Sequence, residues 1–178
     1  LVGLAPLADG SITLDGEPLK PRRTRQQTRR VQMVFQDPSA SLDPSMTIGQ
    51  TLCELLRVHR MVPRSEVQDR AAELMRRVEL PVSLLQAYPR RLSGGQRQRV
   101  GIARALALEP EVLVADESVA ALDVSVQAAI LNLLQRLRAD LGLTILFISH
   151  DLAVVRRLCD RVVVMYLGTV VEDRPAED

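Results

Sequence analysis

Several short stretches of this chain combine residue types and spacings that could do chemistry. Leu92-Ser93-Gly94-Gly95-Gln96 places Ser93 and Gln96 three apart, the spacing of a capping box that opens a helix. Its glycines leave backbone N–H groups uncovered, so the stretch can serve as a plain cap or as a cradle for a phosphate. Val112-Leu113-Val114-Ala115-Asp116-Glu117 is an apolar run ending in two carboxylates. Asp116 there could hold Mg2+, usually through water, and Glu117 could orient or deprotonate an attacking water. The same pair also suits a strand that simply meets solvent. Gln36 and His150 each follow an apolar run. A glutamine can join a metal ion's water shell and a histidine can contact a terminal phosphate, and either can equally be a structural polar residue. The basic run from Lys20 to Arg30 reads as a solvated face, with nucleic-acid contact as its other use.

An alternation of strands and helices must position these residues. Leu1–Leu7 is a short apolar opening, and Ile12–Leu14 is a strand entering a turn at Asp15-Gly16. Val31–Phe35 reads as a buried strand and Asp37–Pro44 as a loop. Helical spacing links Ile48, Leu52, Leu55 and Leu56, then Val67, Ala71, Leu74 and Val78. A further helix follows the Leu92–Gln96 loop to about Leu108, stopped by Pro110. Val112–Ala115 is a buried strand. A helix from about Ser125 to Leu141 carries Val126, Ile130, Leu133, Leu137 and Leu141 on one face, with Gly142 as its cap. Leu143–Ile148 reads as another buried strand, a short helix carries Leu152 and Val155, and Val162–Tyr166 pairs with Thr169–Val171. Arg174–Asp178 reads as a frayed or cut terminus. Such alternation predicts an α/β fold with a mostly parallel sheet covered on both faces, and ligands bind outside the carboxyl ends of its strands.

Composition narrows the function classes. The 178 residues are 47% apolar and 25% charged, which excludes a wholly disordered chain. No apolar run approaches the ~20 residues needed to cross a bilayer. A net charge of +1, 2% aromatics and no tryptophan argue against nucleic acid as a partner. Cys53 and Cys159 offer neither a disulfide framework nor a metal-ligand spacing, which fits a reducing, cytoplasmic setting.

Taken in order, Gln36, LSGGQ, LVADE, ALD and SH resemble the nucleotide-binding subunit of ABC transporters. Gln36 matches the Q-loop, Leu92–Gln96 the signature, Asp116-Glu117 the end of Walker B, Ala121-Leu122-Asp123 the D-loop and His150 the H-loop. VFQDPSASLDP, DVSVQAAILNLL, FISHDLAVV and VVMYLG are similar to the oligopeptide and dipeptide importer branch, which includes nickel importers.

The resemblance implies a P-loop NTPase-like α/β fold. Residues 1–36 and 109–178 would form the core, and residues 37–108 the Q-loop and a helical signature subdomain. It implies ATP and Mg2+ as cofactors, Glu117 and His150 as catalytic residues, and Asp116 and Gln36 as metal ligands. Gln36, Ser93, Gly94, Gly95, Gln96 and Asp123 would contact nucleotide. It also implies two cassettes, as a homo- or heterodimer, with the signature of one closing the site of the other. Transmembrane permease subunits and, indirectly, an extracytoplasmic solute-binding protein would be partners. The location would be peripheral, on the cytoplasmic face of the inner membrane.

The chain departs from the family pattern in places. It holds no G-x-x-x-x-G-K-S/T, and Lys20, its only lysine, lies in Pro18-Leu19-Lys20-Pro21. The resemblance therefore implies a fold incomplete at its N-terminus, cut inside the helix that follows the P-loop, and a chain inactive alone. Ser118-Val119-Ala120 stands where the family reads Pro-Thr-Ser, and a C-terminal extension of the importer branch is lacking. Two other readings remain open, a non-transport ABC ATPase and a degenerate module without catalysis. The compact segment between Gln36 and Ser93 speaks against the coiled-coil chromosome type.

Overall fold

Three parallel strands form the centre of the structure, a computed structural model that describes residues 2–5, 7–20, 22–37, 41–120 and 122–176. Leu1, Pro6, Pro21, Pro38–Ala40, Ala121 and the last two residues, each touched by the readings above, lie outside the described residues. The strands are β3 (Val31–Val34), β4 (Val112–Asp116) and β5 (Thr144–Ile148), in the order β3-β4-β5. Two antiparallel ribbons flank the sheet in sequence. β1 (Thr13–Leu14) pairs with β2 (Glu17–Pro18), and β6 (Arg161–Tyr166) pairs with β7 (Thr169–Pro175).

The helices are α1 (Arg25–Arg30), α2 (Ile48–Val58), α3 (Val67–Arg77), α4 (Gly94–Leu106), α5 (Val124–Leu141) and α6 (Leu152–Leu158). Local chemistry sets their starts. Thr24 with Gln27, Thr47 with Gln50 and Ser93 with Gln96 close reciprocal capping boxes. Asp123 and Asp151 cap α5 and α6 with their carboxylates. Gly142 ends α5 at φ 65°, a left-handed turn that suits a residue without Cβ.

One apolar cluster joins the helical segment to the sheet. Leu52, Leu56 and Leu74 from α2 and α3 are fully buried, as are Ile102 of α4, Leu113 of β4 and Ile130 of α5. Charged pairs tie the rim. Arg30 bridges Glu111 at 2.6 Å, and Arg70 holds Glu109 at 2.6 Å.

The basic run is a solvated face: α1, which Thr24 and Gln27 open with their capping box, has no buried residue. Three expectations need correction. β5 is not a buried strand: Leu146 and Ile148 are 46% and 44% exposed. Among the described residues it pairs only with β4, so half of its apolar side chains lie at a sheet edge. The Arg174 end is not frayed, since β7 runs to Pro175 and the Ala176 N–H donates to the Asp160 carbonyl at 2.9 Å. Leu141 is exposed at 37%, off the buried stripe of α5 that ends with Leu137.

Candidate functional site

Parallel pairing sets Val34 beside Ala115 and Asp116 beside Ile148. Gln36 lies two residues beyond β3, Asp116 closes β4 with Glu117 next, and His150 lies two residues beyond β5. All four leave the sheet at its carboxyl end, where ligands of such sheets bind. His150 Nδ1 stands 2.9 Å from Glu117 Oε1. With the proton on Nδ1 the ring donates to the carboxylate and keeps Nε2 free to accept.

The backbone holds this pair deliberately. Glu117 has φ 42°, in the left-handed region that a residue with Cβ adopts at a cost of roughly 1–3 kcal/mol. Its N–H donates to the Ile148 carbonyl and its carbonyl accepts from the Ala120 N–H, both at 3.0 Å. Around His150, the Ser149 hydroxyl accepts from the Asp151 N–H at 3.0 Å, and Asp151 caps α6 through the Ala153 N–H at 2.9 Å. The pair faces solvent, with the His150 side chain 73% exposed and that of Glu117 33% exposed.

A second group forms at the start of α4. Ser93 Oγ accepts from the Gln96 N–H at 3.2 Å, and Gln96 Oε1 accepts from the Ser93 N–H at 2.9 Å. The capping reading of LSGGQ is therefore realised, with both glycines inside the first turn. A Cβ on Gly94 would meet Leu122 Cδ2 at 3.5 Å, and one on Gly95 would meet Val126 Cγ1 at 2.5 Å. The signature turn thus lies against the start of α5 in the same chain. Asp123 is occupied there: Oδ1 accepts from the Ser125 hydroxyl at 2.7 Å and the Val126 N–H at 3.0 Å. The Ser125 hydroxyl first, then the Val126 N–H, hold its carboxyl below the ordinary range. Among the described residues no hydrogen bond or ion pair links the Ser93–Gln96 turn to the Glu117–His150 pair.

Among the described residues no three His, Cys, Asp or Glu side chains group to hold an ion. Asp116 and Gln36, at the carboxyl ends of β4 and β3, are the residues that could serve Mg2+, an ion that takes one or two protein ligands and otherwise water and substrate phosphates.

Sequence reasoning missed two buried polar residues and one close packing. Ser118, next to Glu117, is 2% exposed and Gln98 of α4 is 1% exposed; Ser118 Oγ and Gln98 Nε2 have no hydrogen-bond partner among the described residues. Position next to the Asp-Glu pair was a signal for Ser118; Gln98 has none, because a glutamine in a basic helix reads as surface. In Ser118-Val119-Ala120, Val119 is 2% exposed and belongs to the core, which gives that departure a packing role.

The sequence pattern described as ABC transporter matches residues 1–120. A Brucella ovis protein whose name reads peptide import ATP-binding protein is 53% identical over 172 residues, 95% of this chain and 54% of that protein. The oligopeptide transport ATP-binding protein OppF of Escherichia coli K12 is 49% identical over 176 residues, 97% of this chain and 53% of OppF. The chain thus spans about half the length of these curated relatives. Among solved structures, cbiO1 of Clostridium perfringens, part of the cbiONQ ABC transporter complex, matches with TM-score 0.85 and 29% identity over 99% of this chain and 70% of that one. The ATP-binding cassette MJ0796, a dimer bound to ADP and Pi, matches with TM-score 0.81 and 28% identity over 98% and 77%.

Proposed function

Because this chain belongs to the ABC transporter family, we propose that it is the part of an ATP-binding subunit that carries the hydrolytic carboxylate and the signature turn. Its fold is the P-loop NTPase-like α/β fold, with a parallel sheet covered by helices. The whole subunit would hydrolyse ATP to drive import of peptides or similar solutes, in keeping with the names of its relatives. Residues 1–36 and 109–178 would act as the core and 37–108 as the signature arm.

The observation that carries this reading is the 2.9 Å contact of His150 with Glu117 at the end of β4. Glu117 orients the attacking water and accepts its proton, while His150, with its Nδ1–H on Glu117, holds the carboxylate in place beside the reacting phosphate. Asp116 and Gln36 would hold Mg2+. Ser93, Gly94 and Gly95 present a hydroxyl and uncovered N–H groups to nucleotide held by a second cassette. Gln96 and Asp123 keep that turn and the start of α5 in shape beside it. When bound, Mg2+-ATP supplies the bond to be cleaved and neutralises the charge on its own phosphates. The chain has no G-x-x-x-x-G-K-S/T, so it supplies the signature half of a composite site and turns over no ATP alone.

The subunit would work with a second ABC ATPase subunit, transmembrane permease subunits and, through them, an extracytoplasmic solute-binding protein. It would sit peripherally on the cytoplasmic face of the inner membrane; among the described residues no helix is long and apolar enough to cross a membrane. Size-exclusion chromatography with a hydrolysis-dead full-length relative tests the reading. ATP-dependent capture of this chain, lost on Gly94→Asp, is expected. Equal association with and without ATP would refute it.

A further inference from the structure

Three helices of this chain end on a charged residue in left-handed backbone: Arg60 after α2 at φ 52°, Glu79 after α3 at φ 56° and Glu109 after α4 at φ 51°. That position favours glycine, so a charged side chain there calls for something that holds it. At Glu79 the holder is a pair of guanidiniums, Arg99 and Arg136. At Glu109 it is Arg70, at 2.6 Å. Arg60 alone of the three has no counter-charge among the described residues.

Arg60 lines a cleft of about 740 Å³ walled by α1, the end of α2 and the segment that leads into β4. Arg25 and Arg29 of α1 line the same cleft, and neither has an ion-pair partner among the described residues. The carboxylates of that cleft are already engaged. Arg70 holds Glu109, and Arg30 grips Glu111 through two nitrogens at 2.6 and 2.7 Å. His59, half-buried, forms part of the wall, and burial together with Arg29 and Arg25 holds its pKa below the ordinary value. Three guanidiniums and a histidine therefore share a concavity with no free carboxylate, an arrangement that concentrates positive potential. Arg30 and Glu111 stand immediately before β3 and β4. The cleft consequently lies at the amino ends of the strands, opposite the Glu117–His150 pair.

We propose that this cleft, formed by Arg25, Arg29, His59 and Arg60, binds a phosphate-bearing anion. Planar guanidinium forks match phosphate oxygens two at a time. Burial first, and then the Arg29 and Arg25 charges, hold the His59 pKa down, and an anion that offsets those charges raises it. The site is independent of the nucleotide chemistry at the strand ends and does not rest on it.

The 178-residue chain contains two histidines, His59 and His150, so ring NMR signals read both ends of the sheet at once. Pyrophosphate is titrated against sodium chloride of equal ionic strength. We expect a saturable shift at His59 with Kd below about 1 mM and a raised His59 pKa. Arg29→Gln should weaken binding at least tenfold. Arg60→Gly is the control for folding: it relieves the left-handed strain, so the chain should be at least as stable while binding falls by a similar factor. Sedimentation with vesicles of phosphatidylglycerol in phosphatidylcholine separates the sources. Arginine-dependent sedimentation assigns the phosphate to a lipid headgroup, and pyrophosphate binding without it assigns a soluble ligand; either supports the site. A His59 response equal to that in chloride, one unchanged in both variants, or a shift confined to His150 would overturn the proposal.

Discussion

Gly95 and Val126 meet closely enough that a Cβ on Gly95 would stand 2.5 Å from Val126 Cγ1. Val126 is β-branched and sits in the first turn of α5, where its rotamer has little freedom to yield. The second glycine of the signature turn is thus required inside the chain, before any nucleotide is considered. Gly94 is different, since its nearest neighbour would lie at an ordinary 3.5 Å.

Gly95→Ala should therefore destabilise the fold by about 1–3 kcal/mol through overpacking, whereas Gly94→Ala should be nearly neutral. Val126→Ala should recover most of the loss in the double variant, a non-additivity that urea unfolding reads directly. A Gly95→Ala chain as stable as the original would contradict the packing.

Acid should weaken the start of α5 in a defined way. The Asp123 carboxyl is held below its ordinary value by the Ser125 hydroxyl and the Val126 N–H. Its contribution is fully present above the ordinary carboxylate pKa near 3.9 and is lost as pH falls through the lower folded-state value. Asp123→Asn should lower the unfolding midpoint at pH 7, and the gap to the original chain should close as pH falls through the lowered folded-state pKa of Asp123. A gap that stays constant across that range would show that the charge of Asp123 does nothing for the cap.

The arm and the sheet share one apolar cluster, so they should unfold together. Leu74→Ala in α3 and Leu113→Ala in β4, both fully buried, should each cost about 2–5 kcal/mol and shift a single transition. Two separate transitions in calorimetry would show that the arm is an independent unit.

Much of the local structure that carries the candidate residues was legible because its signals are local. The apolar run before Asp116 and the Ser93–Gln96 box depend on neighbours in sequence, as does the Asp-Gly turn of the first ribbon, and each stands where the pattern put it. What stayed hidden depends on tertiary context. An apolar run such as Thr144–Ile148 reads as buried on both faces, yet its exposure is decided by which strands flank it. The packing of Gly95 on Val126 and the left-handed ends at Arg60, Glu79 and Glu109 have no sequence signature, because glycine is absent from those three ends. The basic run from Lys20 to Arg30 is the solvated face its charges imply, and Thr24 with Gln27 is the local signal for the helix within it.

The central claim is that Glu117 is the hydrolytic carboxylate. The direct measurement is single-turnover ATP hydrolysis by this chain joined to an upstream segment that supplies a G-x-x-x-x-G-K-S/T, with and without Glu117→Gln. The amide keeps the shape and cannot accept the water's proton, so turnover should fall about 10²–10⁴-fold while nucleotide affinity holds. Turnover within a few-fold of the unsubstituted protein would contradict the account.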